Sequence, residues 1–402
     1  MARPRILLLS KLFWPEGSGA ELATYLIVRD ILSRYFHVTV VSGTRSPKLD
    51  LLRLTRYVYW SVLEAKYKPI EWIKLTTGIN WLKKLVEGAD IIYISSHTLI
   101  PLTVVAKMIK PSIRVVLHLH NFQVLTYTSI VLADREPDMA TDIIVEFEEH
   151  GSLLRALLAG IGYHVNYVNR FALKYADKVI LVSKRQHDIL VRYLPWLDGR
   201  TTILYNPLPQ LQSVEKRLNA EPTILYSGGE SYIKGFHVAL KALIEVLKKC
   251  DCKAYIISRR KSTYMEKTRS IAEKLDSKLI VLSWLPHEEY LSLHKQVWGI
   301  LVPSICEEPM PYAIAESMLM GTVPIASKAG GIPELISDTP AEEFLFTPGD
   351  VSELISKIEK LISISREEVT NIGAQLREKA HQLFDQERIE REIVNLFESL
   401  AQ

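Results

Sequence analysis

Two carboxylates eight residues apart, Glu308 and Glu316, are spaced to hold a ligand with several hydroxyl groups. The surrounding pattern predicts a buried strand over 299–303, a loop that carries Glu308, and a helix over about 311–319 that carries Glu316. Both carboxylates would then lie beside the carboxyl end of a parallel strand, where α/β proteins bind ligands. One could accept hydrogen bonds from a sugar and the other from a ribose. The alternative is a solvated helix with two ordinary glutamates.

The residues around this pair extend the pattern. Pro303-Ser304 precede it, and Gly321, a short predicted strand over 323–326 and the sequence GGIPE at 330–334 follow it. This segment resembles the signature of glycosyltransferase family 4, in which seven residues separate the two glutamates. The resemblance implies two Rossmann-like α/β domains that face a central cleft, known as the GT-B fold. It also implies a nucleotide-sugar donor and retention of the anomeric configuration.

Length and composition agree with a two-domain globular enzyme. The chain has 402 residues, of which 48% are apolar and 24% charged, and this length suits two ordinary domains. The net charge of +3 is too small to indicate nucleic-acid binding. Three cysteines without zinc-ligand spacing favour a reducing compartment. No apolar run reaches the ~18 residues of a membrane span, so we expect a cytoplasmic protein, free or peripheral at the cytoplasmic membrane face.

Alternation of strands and helices occurs twice along the chain, which predicts two domains. We expect an acceptor-binding domain over residues 1–205 and a donor-binding domain over 206–380, with the linker at its start, 206–222. The final segment, 381–402, is an amphipathic helix by its pattern. The resemblance implies that this helix crosses back to the N-terminal domain.

The first predicted strand, over 5–10, leads into a glycine-containing loop and a helix that begins near Ala20. Free N–H groups at a helix N-terminus can bind a phosphate, and glycine lets the backbone approach it. A plain strand-to-helix turn is the alternative. The resemblance implies that Gly17 and Gly19 lie against the donor diphosphate.

Two histidines, His118 and His120, are two residues apart on a predicted strand over 115–121, so they point to the same face. A histidine at the strand end could offer its imidazole to a ligand, although a single histidine in such a place is more often structural. The resemblance implies that His120 contacts the donor sugar. Neither histidine has partners at metal-ligand spacing, so no metal site is indicated.

In the second half, Lys234-Gly235 opens a helix after a glycine turn, and a lysine there can approach a phosphate as a point charge. The resemblance implies that Lys234 contacts the diphosphate. The family usually has an arginine some six residues earlier, where this chain has Gly228-Gly229-Glu230. Arg259, directly after the next predicted strand, is a candidate replacement, and so is Arg260.

The loop after Glu308 also departs from the family, which often has Phe-Gly where this chain has Met310-Pro311. Pro311 has no N–H group but suits the first turn of a helix. The amides of Met310 and Tyr312 remain, so we include Met310, Pro311 and Tyr312 among the expected donor contacts.

Residues 47–87 combine three tryptophans and eight lysines or arginines with only four acidic residues. Helices of this composition can lie on an anionic membrane or hold a lipid-linked acceptor. They can equally be amphipathic helices packed on a sheet. The sequence leaves both interpretations open.

The expected function is a retaining, metal-independent glycosyltransferase without a cofactor, which moves a hexose from a nucleotide sugar to a glycan or lipid-linked acceptor. Glu308, His120 and Lys234 are the expected catalytic residues. The expected donor-binding residues are Gly17, Gly19, Lys234, Arg259, Met310, Pro311, Tyr312 and Glu316. A nucleotide-sugar-binding protein without turnover is the alternative. A nicotinamide-dependent dehydrogenase is disfavoured because no GxGxxG motif precedes an acidic residue by ~20 positions.

Overall fold

The computed structural model describes residues 3–64, 68–209, 215–258, 263–275 and 277–402. The chain divides into two compact units. Unit 1 contains Met1–Ser129, Ile161–Pro209 and Phe384–Gln402. Unit 2 contains Ile130–Gly160 and Gln210–Leu383. Arg259, Arg260 and Lys261 lie outside the described residues.

Each unit is built on a parallel sheet. The strands of unit 1 are β1 (Arg5–Ser10), β2 (His37–Ser42), β3 (Arg56–Tyr59), β4 (Ile91–Ile94), β5 (Arg114–Leu119), β6 (Lys178–Leu181) and β7 (Thr201–Ile203). Those of unit 2 are β8 (Thr223–Tyr226), β9 (Lys253–Ile257), β10 (Leu279–Leu282), β11 (Gly299–Val302), β12 (Val323–Ser327) and β13 (Leu345–Phe346). The central strands are continuous apolar runs because helices cover both faces of a parallel sheet.

Helices connect these strands. In the first part of the chain they are α1 (Gly19–Leu26), α2 (Ser33–Tyr35), α3 (Leu49–Leu54), α4 (Lys68–Glu87), α5 (Leu102–Ile109), α6 (Met139–His150), α7 (Leu153–Gly162), α8 (Val165–Leu173) and α9 (Lys184–Tyr193). They continue with α10 (Phe236–Lys249), α11 (Thr263–Glu273), α12 (His287–Leu293), α13 (Tyr312–Leu319), α14 (Ile332–Ile336), α15 (Val351–Ser363), α16 (Arg366–Leu383) and α17 (Gln386–Ala401).

The strand order determines where each unit can bind a ligand. Within the described residues the orders are β3-β2-β1-β4-β5-β6-β7 and β10-β9-β8-β11-β12-β13. The order reverses between β1 and β4 in unit 1 and between β8 and β11 in unit 2. Ligands of open α/β sheets bind outside the carboxyl ends of the strands at such a reversal. In unit 2 this edge carries the loops that follow Tyr226 and Val302.

Two parallel α/β sheets confirm the predicted fold class, and most predicted strands begin and end within two residues of the observed ones. The main omission is β3, which lies inside the basic and aromatic segment 47–87 and pairs with β2. In that segment Trp60 is buried and stacks on Trp81, while Trp72 donates its indole N–H to the carbonyl of Thr98. These contacts favour helices packed on the sheet.

The observed units have boundaries within four residues of the predicted ones, apart from one internal segment. Residues 130–160, expected in the N-terminal domain, belong to unit 2. A sequence pattern cannot reveal this, because the hydrogen bonds that join the segment to the site loops of unit 2 reach residues more than 80 positions further along the chain. The last helix, α17, belongs to unit 1, where Phe397 packs against Phe36 and Tyr93.

No helix among the described residues combines the length and the hydropathy needed to cross a bilayer.

Candidate functional site

The loops after β8 and β11 bring together two predicted site residues that are 74 positions apart in sequence. Lys234 donates from Nζ to Oε2 of Glu308 at 2.5 Å. Ser304 donates from Oγ to the other carboxylate oxygen, Oε1. The Glu308 side chain is only 10% exposed, whereas that of Lys234 is 40% exposed. The lysine therefore compensates a largely buried negative charge and still reaches solvent.

Two glycines allow these loops to meet at the backbone. At Gly235, φ is +69°, and a Cβ atom there would lie 1.9 Å from the carbonyl oxygen of Pro303. At Gly330, φ is +58°, and a Cβ atom would lie 1.9 Å from the carbonyl oxygen of Glu308. A side chain would clash at either position, and the positive φ itself favours glycine.

The GGIPE segment fixes the backbone that carries Glu308. Gly331 donates its N–H to the carbonyl oxygen of Glu308 at 2.8 Å. Gly330 donates its N–H to Oε2 of Glu307, a buried neighbour, at 2.5 Å. The GGIPE motif therefore holds the loop that carries Glu307 and Glu308 against the start of α14.

Glu316 lies on α13 and contacts a histidine that the sequence analysis did not select. His287, at the start of α12, donates from Nε2 to Oε1 of Glu316 at 2.7 Å. The Glu316 side chain is 6% exposed. This hydrogen bond raises the pKa of His287 above its usual value, against the opposing effect of burial. The Glu316 carboxylate therefore favours the protonated form of the His287 imidazole, and the imidazole holds one oxygen of that carboxylate in place.

Met310, Pro311 and Tyr312, which we expect to contact the donor, lie where the loop after Glu308 meets the start of α13. Pro311 is the N-cap residue, with extended backbone, and Tyr312 is the first helical residue. Burial raises the pKa of the Tyr312 hydroxyl well above its usual value, so the side chain stays neutral. Met310 precedes them in the loop and is partly exposed. Proline has no backbone N–H group. The N–H groups at the start of a helix have no acceptor within the helix, so proline here costs the helix no hydrogen bond.

Residues 130–160 pack against both site loops of unit 2, which are those after β8 and β11, and we call this segment the brace. Backbone hydrogen bonds join Glu307 N to the carbonyl of Val131 at 2.8 Å and Ala133 N to the carbonyl of Ile305 at 3.0 Å. Leu132 forms an isolated antiparallel bridge with Cys306. Their side chains pack together with Val145 and with the partly buried Ile130, Ile233 and Ile305.

A second part of the brace reaches the loop that carries Lys234. Glu149, near the end of α6, accepts the backbone N–H of Tyr232 at 2.9 Å and that of Ile233 at 3.4 Å. It also accepts the hydroxyl hydrogen of Ser231 at 3.2 Å. A carboxylate that binds three donors fixes the turn directly before Lys234. Sequence reasoning missed Glu149 because nothing local indicates its distant partners.

Residues 228–230, the region where the family usually has an arginine, contain a carboxylate and no cation in this chain. Glu230 accepts a hydrogen bond from the hydroxyl of Ser258, which directly follows β9. The predicted substitute cation, Arg259, is the next residue and lies outside the described residues. Lys234 is therefore the positively charged residue among the predicted donor contacts of unit 2 that the structure describes.

In unit 1, the predicted phosphate loop follows β1. Gly17 has φ of +97°, and a Cβ atom there would lie 2.4 Å from Cγ of Glu21. Glu21 folds back and accepts the N–H of Ser18 at 2.7 Å, which completes a capping box at the start of α1. Gly19 is the first residue of that helix. The Glu21 carboxylate thus already accepts a hydrogen bond from one amide at the N-terminus of α1, that of Ser18.

His118 and His120 lie at the end of β5 in unit 1, with ring centroids 4.0 Å apart. His118 shares a hydrogen bond of 2.7 Å between Nδ1 and the Tyr93 hydroxyl. Burial lowers the pKa of His120 to about 4 and lowers the pKa of His118 well below its usual value, so both rings are neutral at neutral pH. In the described structure the buried Nε2 of His120 has no hydrogen-bond partner.

Solved structures with the same architecture include sucrose-phosphate synthase from Thermosynechococcus elongatus, with a TM-score of 0.76, 17% identity and 99% of each chain covered. Anabaena Alr3699/HepE, solved with UDP-glucose, has a TM-score of 0.69 and 18% identity over 98% of this chain and all of that one. These similarities confirm the GT-B fold.

Sequence models identify the family. Residues 17–209 match the model "Glycosyltransferase Family 4", and residues 221–363 match "Glycosyl transferases group 1". Between them the two matches cover most of the chain and both units. The chain therefore belongs to glycosyltransferase family 4, as the motif around Glu308 and Glu316 predicted.

Curated relatives match over shorter stretches. The putative colanic acid biosynthesis glycosyltransferase WcaL of Salmonella typhimurium is 24% identical over 178 residues, which is 42% of each chain. The MMP alpha-(1->4)-mannosyltransferase of Mycolicibacterium hassiacum is 30% identical over 116 residues, 29% of this chain and 28% of that enzyme. The matches thus span less than half the length of these relatives.

Proposed function

We propose that this protein is a retaining glycosyltransferase, which moves a hexose from a nucleotide-sugar donor to a glycan or lipid-linked acceptor. The observation that carries the proposal is the contact between Lys234 and Glu308 at the carboxyl ends of β8 and β11. Family membership supports the reaction class, and the structure of HepE with UDP-glucose supports a nucleotide sugar as the donor. We place the activity in the cytoplasm because the odd number of cysteines favours a reducing compartment.

In this proposal Lys234 changes partner when the donor binds. The ammonium group, which is partly exposed, moves from Glu308 towards the diphosphate and compensates the charge that develops on the leaving group. Glu308, still held by Ser304, then accepts hydrogen bonds from sugar hydroxyls. Arg259 would add a second cation. No metal ion or cofactor is invoked.

Glu316 would bind the two ribose hydroxyls with the oxygen that His287 leaves available. The amides at the start of α13, from Met310 to Tyr312, would face the donor as well. In the transfer step the bond between the anomeric carbon and the diphosphate oxygen breaks, and the acceptor oxygen bonds to the same face of that carbon. The acceptor proton passes to the departing diphosphate.

The residues of unit 1 make a separate set of proposed contacts. His120 would present a neutral imidazole to the sugar, because its lowered pKa keeps the ring uncharged at neutral pH. Gly17 and Gly19 would lie near the diphosphate. For the phosphate to reach the Ser18 amide, the Glu21 carboxylate must give up its hydrogen bond to it.

One feature favours a second candidate, a nucleotide-sugar-binding protein without turnover. Residues 228–230 are Gly-Gly-Glu in the region where the family usually has an arginine. This region therefore contains a carboxylate, that of Glu230, which accepts a hydrogen bond from Ser258, and no cation. Weaker charge compensation on the leaving diphosphate would slow transfer more than it weakens donor binding.

The experiment has two stages. Thermal-shift screening against nucleotide sugars first identifies the donor, because a ligand of the folded state raises the melting temperature. Release of the free nucleotide is then followed over time with and without candidate acceptors. We expect Glu308→Gln to lower turnover by about a hundredfold or more, Glu316→Gln mainly to weaken donor binding, and the exposed Glu273→Gln on α11 to do neither. Donor binding without nucleotide release would favour the second candidate, and unchanged turnover in Glu308→Gln would refute the assigned role.

A further inference from the structure

The pattern of exposure on helix α7 is the opposite of that on an ordinary surface helix, which buries its large apolar side chains. Its small residues Ala156, Ala159 and Gly160 are buried, whereas its large apolar side chains are between 54% and 72% exposed. These large side chains are Leu153, Leu154, Leu157, Leu158 and Ile161. Their spacing places them on one side of the helix, and we call this set the α7 face. An unbroken row of exposed leucines on a globular protein marks a surface that binds something apolar.

The next helix, α8, follows after only Tyr163 and His164 and shows the same reversal. Its buried side includes two asparagines. Asn166 donates to the carbonyl of Leu125 at 3.1 Å and Asn169 to that of Gln123 at 3.4 Å. Its exposed side consists of Tyr167, Val168, Phe171 and, just past the helix end, Tyr175. We call these four residues the α8 face.

The charges along this part of the chain have one sign. Residues 151–176 contain no aspartate or glutamate, while Arg155, Arg170 and Lys174 are basic. Arg170 lies over the ring of Tyr167, and Lys174 lies over that of Trp196. Aromatic rings next to arginine and lysine, as on α8, and exposed leucines, as on α7, are each typical of helices at the boundary between lipid headgroups and acyl chains.

Of the three basic residues, Arg155 is neutralised by an acidic residue that precedes α7. Glu146 is paired with Arg155 at 2.6 Å, and Glu149 is occupied by the backbone of residues 232 and 233. Glu148 is left as the exposed acidic side chain of that turn. An anionic surface would therefore meet mostly apolar and basic groups here.

We propose that the α7 face, most of which lies in unit 2, and the α8 face, which lies in unit 1, each bind the interfacial layer of a lipid bilayer that contains anionic lipids. The leucines would enter the acyl boundary, and the aromatic rings with Arg170 and Lys174 would lie among the headgroups. A second copy of the chain fits less well, because a two-fold contact through these faces would bring like charges together. The inference does not depend on the sugar-transfer activity.

This assignment moves the expected membrane contact away from residues 47–87. In that segment Trp60 and Trp72 are engaged within unit 1. The α7 and α8 faces have instead large apolar side chains that the described part of the chain does not cover.

Vesicle co-sedimentation without any donor or acceptor tests the proposal. The probes are vesicles of phosphatidylcholine alone and of phosphatidylcholine mixed with phosphatidylglycerol, at low salt. We expect the protein to sediment with the mixed vesicles, and the double variant Leu157→Glu/Leu158→Glu to bind at least about tenfold more weakly. Lys174→Glu should weaken binding to the mixed vesicles alone. The matched control is Met108→Glu on α5, another highly exposed apolar residue, and it should bind like the parent.

Absence of sedimentation at low salt, or equal binding by the double variant, would overturn the proposal. So would a concentration-dependent dimer that the double variant abolishes while vesicles are not bound, since that result assigns the faces to a second copy. If the double variant fails to fold, Leu157→Trp gives an independent measurement. Brominated lipids should quench its additional fluorescence, and no additional quenching relative to the parent would also refute lipid insertion.

Discussion

Glu316 and His287 show how a pair of side chains can be fixed before any ligand arrives. Glu316 is nearly buried on α13, and a hydrogen bond of 2.7 Å joins it to His287 on α12. The pKa of His287 is raised because its protonated form is the better donor to a carboxylate. The pair orients one carboxylate oxygen and so positions the other for the ribose in the proposed reaction.

We predict that Glu316→Gln lowers the pKa of His287 towards its ordinary value of 6.5. The raised pKa means that the pair stabilises the fold fully below pH about 6.5, and that this contribution is lost as the pH rises through the folded-state pKa. The variant should therefore be less stable than the parent at pH 6 and nearly equal to it well above the folded-state pKa. Histidine NMR titration measures the pKa directly, and an unchanged His287 titration would contradict the assignment.

Lys234 and Glu308 form the second such pair. Because Lys234 is substantially exposed, solvent screens the interaction and little folding stability should depend on it. Its importance is expected in the reaction, where the proposed exchange of partner would couple donor binding to release of the Glu308 carboxylate.

At the level of elements, the site of unit 2 depends on loops that touch through glycine. The loop before α10 lies against Pro303, and the turn before α14 lies against Glu308. Packing of two backbones at this distance leaves no room for Cβ, so the position of Glu308 is set by residues far from it in sequence.

We predict that Gly330→Ala destabilises unit 2 by about 3 kcal/mol or more, because a positive φ and a backbone clash act together. Gly349→Ala is the matched control. Gly349 also has a positive φ, +82°, but nothing lies within 4 Å of an added Cβ, so this change should cost about 1 kcal/mol. Thermal or chemical denaturation measures both variants, and equal losses would show that the contact with Glu308 is not tight.

The brace formed by residues 130–160 gives a second prediction at this level. Glu149→Ala removes the acceptor for two backbone N–H groups and a hydroxyl, which should cost about 1–3 kcal/mol of stability. It should also weaken donor binding several-fold, because the turn before Lys234 loses its support. Glu148→Ala, an exposed change one residue earlier, is the control for lost charge. Calorimetric donor titration checks the binding effect, and parent-like affinity in Glu149→Ala would argue against the brace.

The whole molecule contains several histidines that are buried in their neutral form. His118 and His120 lie in unit 1 and His294 in unit 2, and burial lowers the pKa of each, to about 4 for His120 and about 3 for His294. Between these values and 6.5 the unfolded chain binds more protons than the folded chain. Stability must therefore fall as the pH is lowered through this range.

We predict that the melting temperature decreases steeply from pH 6.5 to pH 4, with His120 alone contributing about 3 kcal/mol to the loss. Carboxylates titrate in the same range, so the informative quantity is the difference between variants. His120→Asn should flatten the decrease, whereas His37→Asn, at an exposed position on β2, should leave it unchanged. Identical pH profiles for His120→Asn and the parent would show that the histidine is not buried in neutral form.

Much of the architecture could be predicted from local pattern alone. Apolar runs such as Arg5–Ser10 and Gly299–Val302 are strands because only a doubly covered parallel sheet buries every side chain of such a run. The spacing of Glu308, Glu316 and GGIPE predicted the family, and the family models confirm it. The strand β3 was missed because its pattern is short and its exposed residues resemble those of a surface helix.

The amino-acid sequence by itself determined the fold class, the two sheets and the family, because hydrophobic periodicity and motif spacing act over short distances along the chain. Tertiary structure decided which partners the site residues take. His287 on Glu316, Ser304 and Lys234 on Glu308, and Glu149 behind the lysine loop are contacts between residues that the fold brings together. It also decided which side of α7 faces outwards, since a row of leucines predicts burial until the packing of the neighbouring alanines and glycine is known.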